Sequence, residues 1–112
     1  MKKIEAIVRP ERLPIIREAL EELGYPGMTI SEVKGHGKQR GITQQWRGQE
    51  YKIDMLPKLK IEIVVLDGDV SKTVGAIVRA SRKGEIGDGK IFVLPVESAI
   101  RVRTGDMDED AI

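Results

Sequence analysis

Two strand–helix–strand patterns, separated by one long stretch without pattern, predict an α+β sandwich: a four-stranded antiparallel sheet with both helices on one face. Three observations carry the prediction. Lys3–Val8 and Lys60–Val65 alternate apolar with polar residues, the period of a half-buried strand. Each leads into a segment whose apolar residues recur every three or four positions, the stripe of an amphipathic helix. The halves also echo each other, Lys3-Ile4-Glu5-Ala6-Ile7-Val8 against Lys60-Ile61-Glu62-Ile63-Val64-Val65. Two split β–α–β units make the ferredoxin-like βαββαβ arrangement, and 112 residues suit a single domain spanning 1–112.

The first strand puts Ile4, Ala6 and Val8 on one face and Lys3, Glu5, Ile7 and Arg9 on the other; Pro10 ends it. From Glu11 to Leu23 the apolar stripe is Leu13, Ile16, Leu20 and Leu23, with Ile15 and Ala19 beside it. Pro14 falls in the first turn, where a missing N–H costs little. Gly24 stops the helix and Tyr25-Pro26-Gly27 turns the chain. Met28–Lys34 reads as the second strand, with Ile30 and Val33 out of phase, which suggests a bulge or twist. From Gly35 to Met55 no period of 2 or 3.6 is sustained, so this is read as a long loop between strands 2 and 3. A stretch of that length inside a small domain is normally functional or disordered. The third strand, Lys60–Val65, closes at Asp67-Gly68. The second helix carries Val70, Val74, Ile77 and Val78, with Asp69 as its N-cap and Arg79, Arg82 and Lys83 at its C-terminal end. Ile91–Val96 is the fourth strand. Ile100–Val102 reads as a short extra strand or extended tail, and the chain from Gly105 onward as loose and acidic.

Composition narrows the function. One third of the residues are charged but the net charge is +1, which lacks the basic excess of a dedicated nucleic-acid binder. Without cysteine there are no disulfides or thiolate metal sites. Apolar runs reach about five residues, too short for a membrane span or a signal-peptide core, and the expectation is a cytoplasmic protein. The uncovered sheet face mixes charge with apolar groups (Lys3, Glu5, Ile7, Lys60, Glu62, Val64), which reads as a self-association surface where Lys and Glu of neighbouring copies pair.

Chemistry concentrates in Gly84-Glu85-Ile86-Gly87-Asp88-Gly89-Lys90-Ile91-Phe92-Val93. Its glycines mark backbone at φ > 0 or in close approach to something. Successive N–H groups there can form an anion nest, with the Lys90 ammonium adding charge; a plain hairpin turn is the simpler reading. Arg101 and Arg103, two apart, point the same way if extended and would clamp a phosphate, or bridge to carboxylates of another subunit. Lys58 is a further candidate. His36 is the only histidine and has no partner for a metal cluster. Neither a P-loop nor a nucleophile elbow is present.

These residues also carry a resemblance along essentially the whole chain. Its marks are Arg9-Pro10, Gly27-Met28-Thr29, Ser31-Glu32-Val33-Lys34-Gly35, Arg47-Gly48 with Glu50-Tyr51, Leu56-Pro57-Lys58, Gly84 to Phe92, and Arg101-Val102-Arg103-Thr104-Gly105. In this order and spacing the chain resembles the PII signal-transduction proteins, the GlnB/GlnK family of nitrogen regulators. The resemblance implies a homotrimer with ATP or ADP in each cleft between subunits. Gly87, Asp88, Gly89 and Lys90 would cradle the phosphates, and Arg101, Val102 and Arg103 would reach them across the interface. Ile7, Thr29, Gly35, Gly37, Lys38, Gln39, Val64 and Phe92 complete the implied nucleotide site. Gln39 would ligate Mg²⁺, a hard cation suited to oxygen donors. Gln39, Arg40, Gly41, Lys58 and Gly87 would hold 2-oxoglutarate, with Lys58 on its distal carboxylate.

The resemblance makes 37–55 the output loop, with Trp46, Arg47 and Gly48 meeting a partner, and 102–112 a C-terminal loop. The implied partners are an AmtB-type ammonium transporter or a nitrogen-assimilation enzyme, with membrane contact only through the transporter and no nucleic acid. Tyr51 stands where some members are uridylylated. The chain departs from the family at Trp46 for the usual tyrosine, Gln49 for a small residue, Lys38 for a frequent arginine and Lys83 for a frequent threonine. Two functions follow: a non-enzymatic sensor of ATP, ADP and 2-oxoglutarate, or a ferredoxin-like enzyme acting on a phosphate ester or acyl phosphate. The enzyme has only Asp88 and His36 to work with, neither supported by a partner group.

Overall fold

Strand β1 (Lys2–Val8) is followed by a 3-10 turn, helix α1 (Leu13–Glu22) and strand β2 (Thr29–Gly35). The second half repeats this with β5 (Leu56–Val65), a 3-10 turn, α2 (Val70–Ser81) and β6 (Gly89–Pro95). Between the halves lie β3 (Ile42–Trp46) and β4 (Gln49–Ile53). The structure, a computed structural model, describes residues 1–36 and 55–112, and the backbone of 42–46 and 49–53.

The main sheet has the order β2-β5-β1-β6 with every pairing antiparallel, which is the ferredoxin-like topology. Ile4, Ala6 and Val8 of β1 and Leu59, Ile61, Ile63 and Val65 of β5 are buried together with Ile16 and Leu20 of α1 and Ile77 and Ala80 of α2. The strand alternation and helix stripes are thus two sides of one core. Ile15, off the α1 stripe, is exposed. Burying this apolar surface drives the helices onto one face and leaves the other bare of helix.

Four expectations are corrected. First, β2 has no bulge: its register with β5 is unbroken from Thr29 opposite Glu62 to Gly35 opposite Leu56. Ile30 lies opposite core residue Ile61 and Val33 opposite Lys58, so the two simply occupy opposite faces of an edge strand. Second, the segment read as one long loop contains β3 and β4, paired antiparallel from Ile42 opposite Ile53 to Trp46 opposite Gln49. They form a separate two-stranded sheet.

Third, Asp69 stands at the N-cap of α2 as expected but makes no capping bond with its side chain. Its carboxylate accepts from the Tyr25 hydroxyl and pairs with Lys72 Nζ at 3.0 Å, tying the turn after α1 to the start of α2. Fourth, the chain beyond residue 100 is folded back. Arg101 N–H donates to Asp106 O at 2.8 Å, Gly105 N–H to Arg101 O at 2.7 Å and Asp108 N–H to Ala99 O at 2.7 Å. Residues 102–104 form a turn, so Arg101 and Arg103 are not aligned by an extended strand.

On the bare face, Lys3 Nζ lies 3.1 Å from Glu5 and 3.2 Å from Glu62, and Lys60 Nζ lies 3.5 Å from Glu62. Glu5 and Glu62 are cross-strand neighbours, and Lys3 bridges two like charges that would otherwise repel. The charges assigned to pairing between copies are therefore already paired within the chain. The same face carries Ile7, Val64 and half-exposed Phe92, with Leu94 also exposed.

Candidate functional site

The candidate site forms where β1 ends, α2 ends and β6 begins. At the end of β1, Pro10 starts a 3-10 turn and leaves Arg9 extended at its N-cap. Past Ser81 the chain leaves α2 and turns through Gly84 and Gly87, both at positive φ (85° and 98°), into Gly89 (φ 117°). Gly89 is required twice over. A Cβ there would stand 1.9 Å from the Ile7 carbonyl oxygen, and the φ itself is strained for other residues.

Inside the turn, Asp88 Oδ2 accepts the N–H groups of Lys83 (3.0 Å), Gly84 (2.8 Å) and Glu85 (3.3 Å). Arg9 Nε donates to Asp88 Oδ1 at 3.3 Å, and Arg9 Nη2 to Ile86 O at 2.9 Å. Burial pushes the Asp88 carboxyl up, but the Gly84 and Lys83 amides, the Arg9 guanidinium and the Glu85 amide outweigh it and hold the group below its usual range. From β5, Lys58 Nζ donates to Gly87 O at 2.7 Å. Burial lowers the Lys58 pKa, nearby Arg9 lowers it further, and Glu11 and Asp88 work against both. The cations Arg9 and Lys58 thus reach the turn from β1 and β5, and Lys90 follows it in β6.

Strand register sets six of the implied nucleotide residues, Ile7, Thr29, Gly35, Val64, Lys90 and Phe92, on the bare face. Ile7 lies opposite Lys90, and Phe92 opposite Glu5. Val64 lies opposite Lys3, and Thr29 opposite Glu62. Gly35 lies opposite Leu56, with its missing Cβ 3.1 Å from the Lys58 stem. Arg101, Val102 and Arg103 are not brought to the turn. β6 carries the chain away to Pro95, opposite Lys2, and Arg101 pairs with Asp106 at 3.6 Å while Val102 is fully exposed. Gly37, Lys38, Gln39, Arg40, Gly41, Arg47 and Gly48, and the side chains of Trp46 and Tyr51, lie outside the described residues. Among the described residues no group of three His, Cys, Asp or Glu side chains could hold a metal ion.

Sequence reading missed Arg9 and the inward turn of Asp88. A strand-end arginine is unremarkable, and nothing in a linear sequence ties it to an aspartate 79 residues away. A cavity of about 240 Å³ between Leu23, Tyr25, Leu66, Asp69, Glu109 and Ile112 has carboxylates and no cation among its lining residues, so it does not suit an anion.

Fold and site together define a small ferredoxin-like domain with one bare sheet face, a glycine-rich turn ringed by cations, and a hairpin inserted between its halves. The family described as Nitrogen regulatory protein P-II matches residues 1–106. Over all 112 residues, and over the full length of each relative, the chain is 54% identical to a Nitrogen regulatory protein P-II of Synechocystis sp.. By the same measure it is 55% identical to one of Klebsiella oxytoca and 55% identical to Nitrogen regulatory protein P-II 1 of Escherichia coli. The chain belongs to the nitrogen regulatory protein P-II family. It is a signalling regulator and not an enzyme, which removes the phosphate-ester reading. No helix among the described residues is long and apolar enough to cross a membrane.

Proposed function

We propose that this chain assembles as a homotrimer, binds ATP or ADP and 2-oxoglutarate in the clefts between subunits, and reports nitrogen, carbon and energy status to a target protein through residues 37–55. The observation that carries the reading is the Gly84–Lys90 turn. Lys58 reaches the Gly87 carbonyl and Lys90 follows the turn in sequence, so two cations border backbone at positive φ, a setting that suits a polyphosphate. With its carboxylate spent on the amides of 83–85, Asp88 would serve a ligand through its backbone. Ile7, Val64 and Phe92 offer apolar surface for the base on the same sheet face.

Arg101 and Arg103 lie away from their own chain's turn, which favours their serving a neighbour's site. Lys58, whose ammonium stands at the Gly87 carbonyl, would meet a carboxylate of 2-oxoglutarate as its counter-charge. Mg²⁺, held by Gln39 and phosphate oxygens, would supply the charge that joins 2-oxoglutarate to ATP; ADP lacks the terminal phosphate. The target is an AmtB-type ammonium transporter or a nitrogen-assimilation enzyme, met through Trp46, Arg47 and Gly48, with Tyr51 as the candidate modification site.

Calorimetric titration with ATP, ADP and 2-oxoglutarate, singly and combined with Mg²⁺, tests this. The expected outcome is 2-oxoglutarate binding that requires both ATP and Mg²⁺, and ATP affinity weakened at least roughly tenfold in Lys90→Ala, the cost of a lost charge-assisted contact. Equal 2-oxoglutarate affinity with ADP, or unchanged ATP affinity in Lys90→Ala, would remove the assignment.

A further inference from the structure

The glycine-rich turn holds an anion of its own. Three successive amides, from Lys83 to Glu85, converge on Asp88 Oδ2, and that concave set of donors is the kind that elsewhere receives a ligand anion. Its occupant is gripped from behind by Arg9, whose Nε meets Asp88 Oδ1 and whose Nη2 meets the Ile86 carbonyl. The two side chains are 12% and 23% exposed, so water screens the pair less than a surface ion pair. Arg9 also approaches Glu85 at 3.9 Å. One guanidinium therefore spans both the carboxylate that folds the turn and a carbonyl on the turn's outer limb. A lysine ammonium has no planar fork with which to do the same.

We propose that Arg9 is a positioning residue for the ligand-binding turn. By clamping Asp88 and Ile86 it fixes the backbone of 84–89 before a ligand arrives, so that Gly87, Gly89 and Lys90 meet the phosphates in place, while Arg9 itself makes no phosphate contact. The proposal rests on the reading above that this turn receives a polyphosphate. Its benefit is preorganisation: turn residues ordered in advance lose less entropy on binding.

Two measurements test it. The first needs no ligand. In Arg9→Gln and in Asp88→Asn, amide hydrogen exchange should accelerate at Lys83, Gly84 and Glu85 while β1 and β5 keep their protection. Unchanged protection at these three amides overturns the clamp. The second is a double-mutant cycle in ATP affinity by calorimetry. Each single variant should lose roughly tenfold, and Arg9→Gln/Asp88→Asn should lose no more than either alone, because both act through one device. Additive losses would mean that Arg9 touches the ligand directly, and would overturn the positioning role. Arg9→Lys, which keeps the charge, should bind nearly as weakly as Arg9→Gln, and full affinity in Arg9→Lys overturns the fork. If the unmodified chain binds no ATP, the functional reading falls and the phosphate-positioning role falls with it, while the exchange pattern still decides whether Arg9 clamps the turn.

Discussion

At the scale of single residues, the glycines around the candidate site differ in what they do. Gly84 and Gly89 both take positive φ, but a side chain at Gly84 would meet nothing within 4 Å, whereas one at Gly89 would strike the Ile7 carbonyl. Gly84→Ala should therefore cost about 1–2 kcal/mol, the left-handed penalty alone. Gly89→Ala should cost roughly 2–4 kcal/mol, since strain and collision add. Urea unfolding of the two variants measures the difference, and equal losses would deny the close approach. The glycine cluster was legible in the sequence, and this division of labour was not, because it depends on the strand that carries Ile7, at the far end of the chain.

Asp88 gives a second residue-scale expectation. The turn holds its folded pKa below the ordinary aspartate value of 3.8, so the stability it contributes is full above that value and is lost as pH falls through it toward the folded pKa. The melting-temperature gap between the unmodified chain and Asp88→Asn should be constant near neutrality and shrink below about pH 4. A gap independent of pH would mean that the carboxylate is not held as described.

At the scale of elements, legibility followed burial. β1, β5, α1 and α2 each lay a face on the core, and their sequences repeat with the period that this burial demands. Ile77, fully buried on α2, shows the strength of the demand: Ile77→Ala should lose about 2–5 kcal/mol in chemical denaturation, and a loss under 1 kcal/mol would place α2 off the core. β3 and β4 pair only with each other. Neither Ile42–Trp46 nor Gln49–Ile53 sustains a clear apolar–polar alternation in sequence, so the ribbon had no periodic signature to read. The C-terminal hook was missed for a different reason. It depends on Asp108 at φ 53° and on Ala99, whose N–H donates to the Asp108 carboxylate at 3.2 Å, and an acidic tail looks the same whether folded or free.

At the scale of the whole molecule, the proposed trimer would have to form through the bare face. Because Lys3, Glu5, Lys60 and Glu62 satisfy one another within a chain, cohesion in the proposed trimer would fall to the apolar residues of that face, Phe92 and Leu94 among them. Sedimentation equilibrium should give three times the chain mass of 12.5 kDa, with Phe92→Asp shifting the population toward single chains; a monomer at all concentrations would end the trimer reading. Sequence periodicity exposed the bare face but not the count of copies, because strand alternation says which side is uncovered and nothing about the angle at which neighbours pack.

The strand order β2-β5-β1-β6 takes its members alternately from the first and second halves of the chain. Each half is thereby laced through the other like the fingers of clasped hands, and neither contains two neighbouring strands of the main sheet. Cutting the backbone between Gly35 and Leu56 would leave the two pieces interlocked, and assembly from those pieces would be all or nothing. The segment between the halves is thus a place where this chain can vary or bear a new insertion without unlacing the rest.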